Sequence, residues 1–253
     1  MGKLLVTTVS DTHQKYPEGL LGGDVLIDCG DFSFRGREQE VENHMKWLLN
    51  QTQLYRYVVF IAGNHELSFQ DCPGQVRKWL KPYLSDRLIY LQEESVVIDG
   101  YTIYGAPHQP EFGYWAFNVR RGKLHKHWDK IPIETDILVT HGPPRGYGDF
   151  VPERTWVRNA LGEEGWETLH RHEGCDELVE ALARVQPQAH LFGHIHYASG
   201  KYYGKAEDGI EGMLLINAAQ CGENYELMNK PYSFQLDAPK VSPIPLSSDE
   251  GTG

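Results

Sequence analysis

The chain has 253 residues, and its 40% hydrophobic content is enough for a sizeable core without any apolar run long enough to cross a membrane. It carries 35 acidic against 24 basic residues, a formal net charge of −11. This charge disfavours binding to duplex nucleic acid or to anionic membranes, because both partners require a basic surface.

The N-terminal segment and the cysteines favour a cytoplasmic protein. "KLLVTTVS", residues 3–10, is typical of a strand and lacks the layout of a signal peptide. The four cysteines are scattered without a CxxC pair, so we expect reduced thiols rather than a disulfide framework.

Short apolar runs bounded by Gly, Pro, Asn or Asp predict strands along the chain. In chain order these runs are "LLVTTV" (4–9), "DVLIDCG" (24–30), "YVVFIAG" (57–63), "SVVIDGYTIYG" (95–105, a hairpin), "DILVTHG" (136–142), "HLFGH" (190–194), "MLLINAA" (213–219) and "YSFQL" (232–236). Helical patterns lie between them at 37–51, 74–84 and 176–185, and the first places Val41, Met45, Leu48 and Leu49 on one face. This alternation predicts an α/β fold containing a mixed sheet.

No internal repeat or low-complexity linker divides the chain, so we expect one domain over residues 1–237. Residues 238–253, "APKVSPIPLSSDEGTG", are rich in Pro and Ser and predict a flexible tail. Residues 154–174 are rich in charge and tryptophan, and a lid is one interpretation of a segment whose pattern leaves its role open.

Five of the predicted strands end in side chains that can bind a metal. These strand-end residues are Asp11 and His13, Asp31, Asn64 and His65, His141, and His194 and His196. A single histidine or aspartate in such a place is usually a turn or core residue. Five occurrences at the same structural position predict a shared site, because ligands of open α/β sheets bind beyond the carboxyl ends of the strands.

The spacing of His194 and His196 favours two ions rather than one. In an extended segment residues two apart face the same side, with Cα atoms roughly 7 Å apart. One ion would take Asp11, His13 and His196, and a second Asn64, His141 and His194, with Asp31 bridging both. Two divalent ions outweigh the two carboxylates in charge, which explains how an acidic protein would bind an anionic phosphate. Mixed imidazole, carboxylate and amide ligands favour Mn, Fe or Zn.

The motifs D-x-H, G-D, G-N-H-E, H-G-P-P and G-H-x-H, in this order over residues 10–196, resemble the calcineurin-like metallophosphoesterase superfamily. "IAGNHELSF", "YTIYGAPHQPEFGYWAFN" and "HLFGHIHYASG" are most similar to its metallophosphoesterase-domain (MPPED) subfamily. The resemblance implies a four-layer α/β/β/α sandwich with mixed β-sheets. It also implies a dinuclear centre with the ligands given above and, because both histidines of G-H-x-H are present, an active enzyme.

The resemblance further implies that His65 contacts the phosphate as an acid while a metal-bridging hydroxide attacks phosphorus. It favours nucleotide diesters, including cyclic nucleotides. Asn64, His65, Arg35 and His108 are the candidate substrate contacts, although His108 stands where vertebrate members of the subfamily usually carry tryptophan. Aromatic candidates for base stacking are Phe32, Phe34, Tyr114, Trp115 and Phe117.

Two alternatives use the same residues. A phosphomonoesterase or protein phosphatase would share the centre but prefer doubly charged esters. A non-catalytic protein that binds metal and nucleotide would need no acid beside the metals. Small phosphoesters are the expected partners, and the oligomeric state is left open.

Overall fold

The structure, a computed structural model, describes residues 2–158 and 164–240. The strands are β1 (Leu4–Val9), β2 (Gly23–Asp28), β3 (Tyr55–Phe60), β4 (Leu88–Tyr90), β5 (Glu94–Ile98), β6 (Tyr101–Ala106), β7 (Gln109–Pro110), β8 (Asn118–Val119), β9 (Ile137–Thr140), β10 (Phe150–Arg158), β11 (Glu164–His172), β12 (Ala189–Phe192), β13 (Gly200–Tyr203), β14 (Leu214–Asn217) and β15 (Tyr232–Leu236). The helices are α1 (Glu38–Gln51), α2 (Leu67–Asp71), α3 (Pro73–Leu80), α4 (His125–Trp128) and α5 (Asp176–Val185).

Two mixed sheets organise these elements. The first has the order β15-β1-β2-β3-β4 and the second β13-β14-β12-β9-β6-β5. Within each sheet the inner strands run parallel, while β15, β13 and β5 pair antiparallel at the edges. Two small ribbons, β7-β8 and β10-β11, lie outside the sheets. The parallel strands bring their carboxyl ends to one side of each sheet, where the predicted site residues follow them.

The alternation of side chains along each strand generates four layers. In β2, Val25 and Ile27 belong to the core shared by the two sheets, whereas Leu26 belongs to the core under α1 and α3. In β9, Val139 faces the shared core and Leu138 packs with α4 and α5. The predicted α/β/β/α sandwich with mixed sheets is therefore confirmed.

The predicted hairpin at residues 95–105 is also confirmed. β5 pairs antiparallel with β6, and Asp99 and Gly100 form the two-residue connection with φ of 50° and 90°. Positive φ at both positions is typical of the two-residue turns whose twist matches that of the flanking strands. Asp and Gly are common in such turns because they tolerate positive φ.

Helix α1 differs from the prediction in which residues it buries. Val41, Met45 and Leu48 are fully buried, as expected, but Leu49 is 45% exposed. His44 takes part in the buried face instead, stacked on Phe32 at 4.0 Å between ring centroids. The helical period places residue 44 nearer than residue 49 to the centre of this face. Burial lowers the pKa of His44 well below its usual value, so the buried imidazole is neutral.

Two other predicted segments are partly described. Residues 154–174 form most of the β10-β11 ribbon, with residues 159–163 outside the described part of the chain. Of the predicted tail, residues 241–253 are likewise outside it. Lys240 is held in place, its Nζ donating hydrogen bonds to the carbonyl oxygens of Val185 at 2.6 Å and Ile133 at 2.8 Å. No helix within residues 2–158 and 164–240 has both the length and the apolar character needed to cross a membrane.

The orientation of α1 generates a stability prediction. We expect Met45→Ala to lower the free energy of unfolding by about 2–5 kcal/mol, because it leaves a cavity under the helix. The matched variant Leu49→Ala should change it by no more than about 0.5 kcal/mol, because that side chain is largely in solvent. Urea unfolding of the two variants tests this, and equal losses would contradict the observed orientation.

Candidate metal centre

The predicted strand-end residues meet where the carboxyl ends of both sheets adjoin. From the first sheet, Asp11 and His13 follow β1, Asp31 follows β2, and Asn64 and His65 follow β3. The second sheet contributes His141 after β9, and His194 and His196 after β12. All eight side chains are buried or nearly so. The centre therefore depends on both sheets.

The ligand atoms form overlapping groups, in each of which all atoms lie within 4.8 Å of one another. These groups are Asp11 with His13 and His196, Asp31 with His141 and His194, and His13 with Asp31 and His65. The Nε2 atoms of His13 and His196 lie 3.3 Å apart, and His141 Nε2 lies 3.2 Å from Asp31 Oδ2. Asn64 Oδ1 is 2.9 Å from His141 Nε2, which adds the amide oxygen to the second group.

Backbone carbonyl groups fix which nitrogen faces the centre in three of the histidine rings. The Nδ1 of His13 lies 3.0 Å from the Ser33 carbonyl oxygen, that of His141 2.9 Å from the Cys29 oxygen, and that of His196 3.1 Å from the Gly222 oxygen. Since a carbonyl oxygen only accepts, each Nδ1 carries the hydrogen and each Nε2 is left for a cation. This arrangement is characteristic of metal-binding histidines.

The segments that carry these ligands adopt an unfavourable backbone conformation. Asp11, His13, Asp31 and His194 have φ of 52°, 42°, 55° and 70°, in the left-handed region. The turns are tied together because Asp11 N donates to the Gly30 oxygen at 2.9 Å and His13 N to the Asp31 oxygen at 3.1 Å. Strain of this kind is concentrated at functional sites. It also corrects the expectation that residues 194–196 are extended: β12 ends at Phe192, and the left-handed turn at His194 directs His194 and His196 into different groups.

Two glycines let the backbone approach the carboxylates. A Cβ at Gly63 would collide with the side chain of Asp31 and lie 2.6 Å from its backbone nitrogen. A Cβ at Gly193 would collide with the carboxylate of Asp11 and with the Ser10 hydroxyl. The glycines of G-N-H-E and G-H-x-H are thus required for the close packing around the centre.

Glu66 organises the first-sheet side of the centre, a role that the sequence motif alone did not reveal. Its buried carboxylate accepts hydrogen bonds from the backbone nitrogens of Asp31 at 2.9 Å and Gly63 at 2.7 Å, and from the Ser33 nitrogen and hydroxyl at 3.0 and 2.6 Å. Burial and the charge of Asp31 raise the pKa of Glu66 to about 8, whereas the four donors favour the ionised form. The carboxylate thereby holds the Asp31 and Asn64 turns in register.

The centre concentrates negative charge that the protein balances with imidazoles. Burial opposes ionisation of Asp31, but His141 and His65 hold its pKa well below the usual range. Burial lowers the pKa of His141, yet Asp31 raises it to about 9, and Asp11 does the same for His196. Protons on these rings compensate the buried carboxylates, and a bound cation would replace them. The donor set therefore fits divalent metal ions.

His65 lies beside the ligands with its ring clamped on three sides. Its Nδ1 is 3.0 Å from the Phe34 carbonyl oxygen, and its ring stacks on Trp115 at 4.1 Å between centroids. The Nε2 is 3.9 Å from Asp31 Oδ2, and the ring meets His13 edge-on at 4.7 Å. Its Nε2 is consequently presented to the centre while the other nitrogen is occupied.

A cavity of about 500 Å³ opens over the centre. Its floor includes Asp31, Asn64, His65, His194 and His196, and its walls include Arg121, Arg171, Phe112, Tyr197 and Tyr225. Tyr225, which no sequence pattern indicated, meets the His13 ring edge-on at 4.7 Å. The β10-β11 ribbon contributes Arg171 and Val151 to the wall.

The remaining predicted contacts are placed differently. Arg35 lies over the Trp115 ring with its guanidinium carbon 4.7 Å from the centroid, outside the cavity lining. His108 is also outside it, stacked on His127 at 3.5 Å between centroids. The substrate contacts predicted for both residues stay predictions.

The aromatic candidates also divide by position. Phe32 and Phe117 are buried in the core, and Tyr114 is fully exposed. Phe34 and Trp115 remain near the centre, where Phe34 stacks on the His13 ring at 5.6 Å between centroids.

Comparisons with known proteins agree with this arrangement. Metallophosphoesterase domain-containing protein 1 of Homo sapiens is 38% identical over 255 residues, covering 92% of this chain and 71% of the human protein. UPF0046 protein K07C11.7 of Caenorhabditis elegans is 31% identical, covering 94% of this chain and 77% of its own. A solved crystal structure superimposes with a TM-score of 0.53 at 9% identity, covering 85% of this chain and 90% of its own, a likeness in fold alone.

The sequence model of the calcineurin-like phosphoesterase domain matches residues 5–198, a range that begins in β1 and ends just after His196. Together with the close relatives and the converging ligands, this match shows that the chain belongs to the calcineurin-like phosphoesterase family.

Proposed function

We propose that this chain is a phosphodiesterase that hydrolyses nucleotide diesters, including cyclic nucleotides, with two divalent ions of Mn, Fe or Zn. The observation that carries the proposal is the pair of neighbouring ligand groups on either side of the Asp31 carboxylate, at the floor of an open cavity. The proposed ligands are Asp11, His13 and His196 for one ion, Asn64, His141 and His194 for the other, and Asp31 for both.

Asp31 is suited to the bridging role by its position. Its carboxylate belongs both to the group with His141 and His194 and to the group with His13 and His65, and its Oδ1 is fixed by a hydrogen bond from the His65 backbone nitrogen at 2.8 Å. Two divalent ions held there would polarise the phosphate and lower the pKa of a coordinated water, making hydroxide available near neutral pH. The ligand residues would hold the ions in place. Asn64 also lies on the cavity floor, where we propose that it contacts a substrate oxygen.

His65 is proposed to contact the phosphate and to protonate the leaving oxygen. The hydrogen bond from Nδ1 to the Phe34 oxygen leaves Nε2 as the ring nitrogen that would donate toward the cavity. Stacking on Trp115 fixes the plane of the ring, so the proton is delivered along one direction. Arg35, on the other side of Trp115, is proposed as an outer phosphate contact.

The cavity wall favours a diester over a monoester. Arg121 and Arg171, the cations opposite the centre, both interact with the carboxylate of Glu173. Each arginine also lies near a second carboxylate, Asp176 at 3.7 Å from Arg121 and Glu153 at 3.8 Å from Arg171. Because these carboxylates together balance the two arginines, little free positive charge remains for the second charge of a monoester. Phe112 and Tyr225 line the same space and offer faces on which a nucleobase would stack.

The substrate class is tested with paired chromogenic esters. On chelator-stripped protein reloaded with Mn²⁺, Fe²⁺ or Zn²⁺, we expect kcat/KM for bis(p-nitrophenyl) phosphate to exceed that for p-nitrophenyl phosphate by about tenfold or more, a difference of about 1.4 kcal/mol. A panel of 2′,3′- and 3′,5′-cyclic nucleotides then identifies the preferred diester. Preference for the monoester would favour the phosphomonoesterase alternative, and metal binding without turnover would favour the binding-protein alternative.

The bridging carboxylate generates a metal-content prediction. We expect Asp31→Asn to lose bound metal and to abolish turnover, because the amide cannot bring a negative charge to both ions. Asp237→Asn, which alters an exposed carboxylate paired with Lys3 at 3.2 Å, serves as the matched control and should retain both properties. Elemental analysis of the two variants provides the measurement; full metal content in Asp31→Asn would contradict the assignment.

The acid role of His65 predicts a dependence on the leaving group. We expect His65→Ala to retain its metal and to lose about 10²–10⁴-fold in kcat with a nucleoside leaving group. The loss should be much smaller with p-nitrophenolate, which departs without needing a proton. Equal losses with both substrates would show that His65 binds phosphate but does not protonate the leaving oxygen.

A further inference from the structure

A second group of ligating side chains lies apart from the centre described above. Glu93 occupies the turn between β4 and β5, His108 follows β6, and His127 lies in α4. One ligand atom from each lies within 4.8 Å of the others. None of the three lines the cavity over Asp31. Three separate segments of the chain thus converge on a separate point.

The distances within this Glu93–His108–His127 cluster are close to those that one ion requires. His127 Nδ1 lies 2.6 Å from Glu93 Oε1, and His108 Nδ1 lies 3.9 Å from the same oxygen. The second distance is too long for a hydrogen bond. Two ligands on one tetrahedral zinc, each at about 2.0–2.1 Å, are about 3.3 Å apart. The His108 and His127 rings are stacked at 3.5 Å between centroids, so one ring would have to rotate for all three ligand atoms to reach coordination distance.

The cluster also contains buried polar atoms without partners. Within the described part of the chain, His108 Nδ1 and His127 Nε2 are shielded from solvent and make no hydrogen bond. Leaving such a nitrogen unpaired in the interior costs free energy. Glu93 adds backbone strain, with φ of 57° in the left-handed region. His127 is held to Glu93 through its Nδ1, so the nitrogen left without a partner beside the carboxylate is His108 Nδ1.

We propose that Glu93, His108 and His127 bind a divalent transition-metal ion, separate from the dinuclear centre. Two imidazoles and one carboxylate are ligands that Zn²⁺ accepts, and three protein ligands leave one tetrahedral position for water. The ion would link the β4–β5 turn, the loop after β6 and α4.

Lys130 is the competitor that any ion must displace. Its Nζ lies 2.7 Å from Glu93 Oε2, while half of its side chain is exposed to solvent. The ammonium group is consequently able to swing outward. This competition makes Lys130→Ala informative: removal of the lysine frees the carboxylate and removes a like charge, so it should tighten ion binding.

The proposal is tested by counting bound Zn²⁺ in the full chain after dialysis against the metal. We expect His108→Ala and His127→Ala each to bind about one equivalent less than wild type, since each retains only two of the three ligands. His125→Ala is the matched control, because His125 lies in the same helix but is half exposed. Wild-type content in both cluster variants, with native circular dichroism, would overturn the proposal. The outcome is independent of the proposed function, whose test is turnover.

Titration of Zn²⁺ with Lys130→Ala provides a second measurement that does not depend on the folding of the histidine variants. In a protein with Asp31→Asn, which weakens the dinuclear centre, we expect Lys130→Ala to tighten the remaining Zn²⁺ site several-fold. Zn²⁺ should also raise Tm, because the ion binds the folded state. If Lys130→Ala lowers Tm and leaves Zn²⁺ affinity unchanged, the cluster is an ion-pair network and the proposal fails.

Discussion

The buried carboxylate of Asp31 is the constraint on which the centre depends. A carboxylate removed from water must be compensated, and here the compensation comes from His141 on one side and His65 on the other. These two histidines follow strands of different sheets. The charge of Asp31 thus joins the two sheets at their carboxyl ends. Divalent cations would compensate the same charge more completely, so metal binding and the joining of the sheets are two consequences of one electrostatic requirement.

Burial of the hydrophobic core stabilises the fold and offsets the backbone strain at the strand ends that carry the site. The shared core between the sheets is composed of fully buried aliphatic residues such as Val25, Ile27 and Val139. Such burial stabilises the fold by roughly 25 cal/mol per Å² of apolar surface. That stability offsets the left-handed conformations at Asp11 and Asp31, each of which costs on the order of 1–3 kcal/mol. The strain directs ligands from adjacent turns toward one point, an arrangement that relaxed turns would not produce.

The sequence predicts the layers of the fold and the strand-end residues of the site. It does not predict which side chains from helices and loops contact those residues. Strand periodicity and the polar strand ends are local signals, and they predict an α/β fold with a mixed sheet and a shared site at the strand ends. The four-layer sandwich follows from the family resemblance. The hydrophobic pattern of α1 places Leu49 on the buried face and does not include His44. The stacking of His44 on Phe32 is a tertiary contact, which the pattern of one helix does not contain. Glu66 acts through the backbone nitrogens of three residues in two turns, and Tyr225 reaches the cavity from a distant segment. Neither role leaves a local pattern.

The two ligand clusters differ in how their charge is balanced, and this difference bears on their occupancy. At the Asp31 centre the compensating groups are imidazoles, and one of them, His141, is also a proposed ligand, so an ion would replace its proton. At Glu93 part of the compensation comes from Lys130, which is not a ligand and must leave. Ion binding at Glu93 therefore costs the free energy of separating Lys130 from the carboxylate. This cost favours metals with a high intrinsic affinity for imidazole. We therefore expect the proposed dinuclear centre to fill first, and the Glu93 cluster to respond to metal concentration over a separate, higher range.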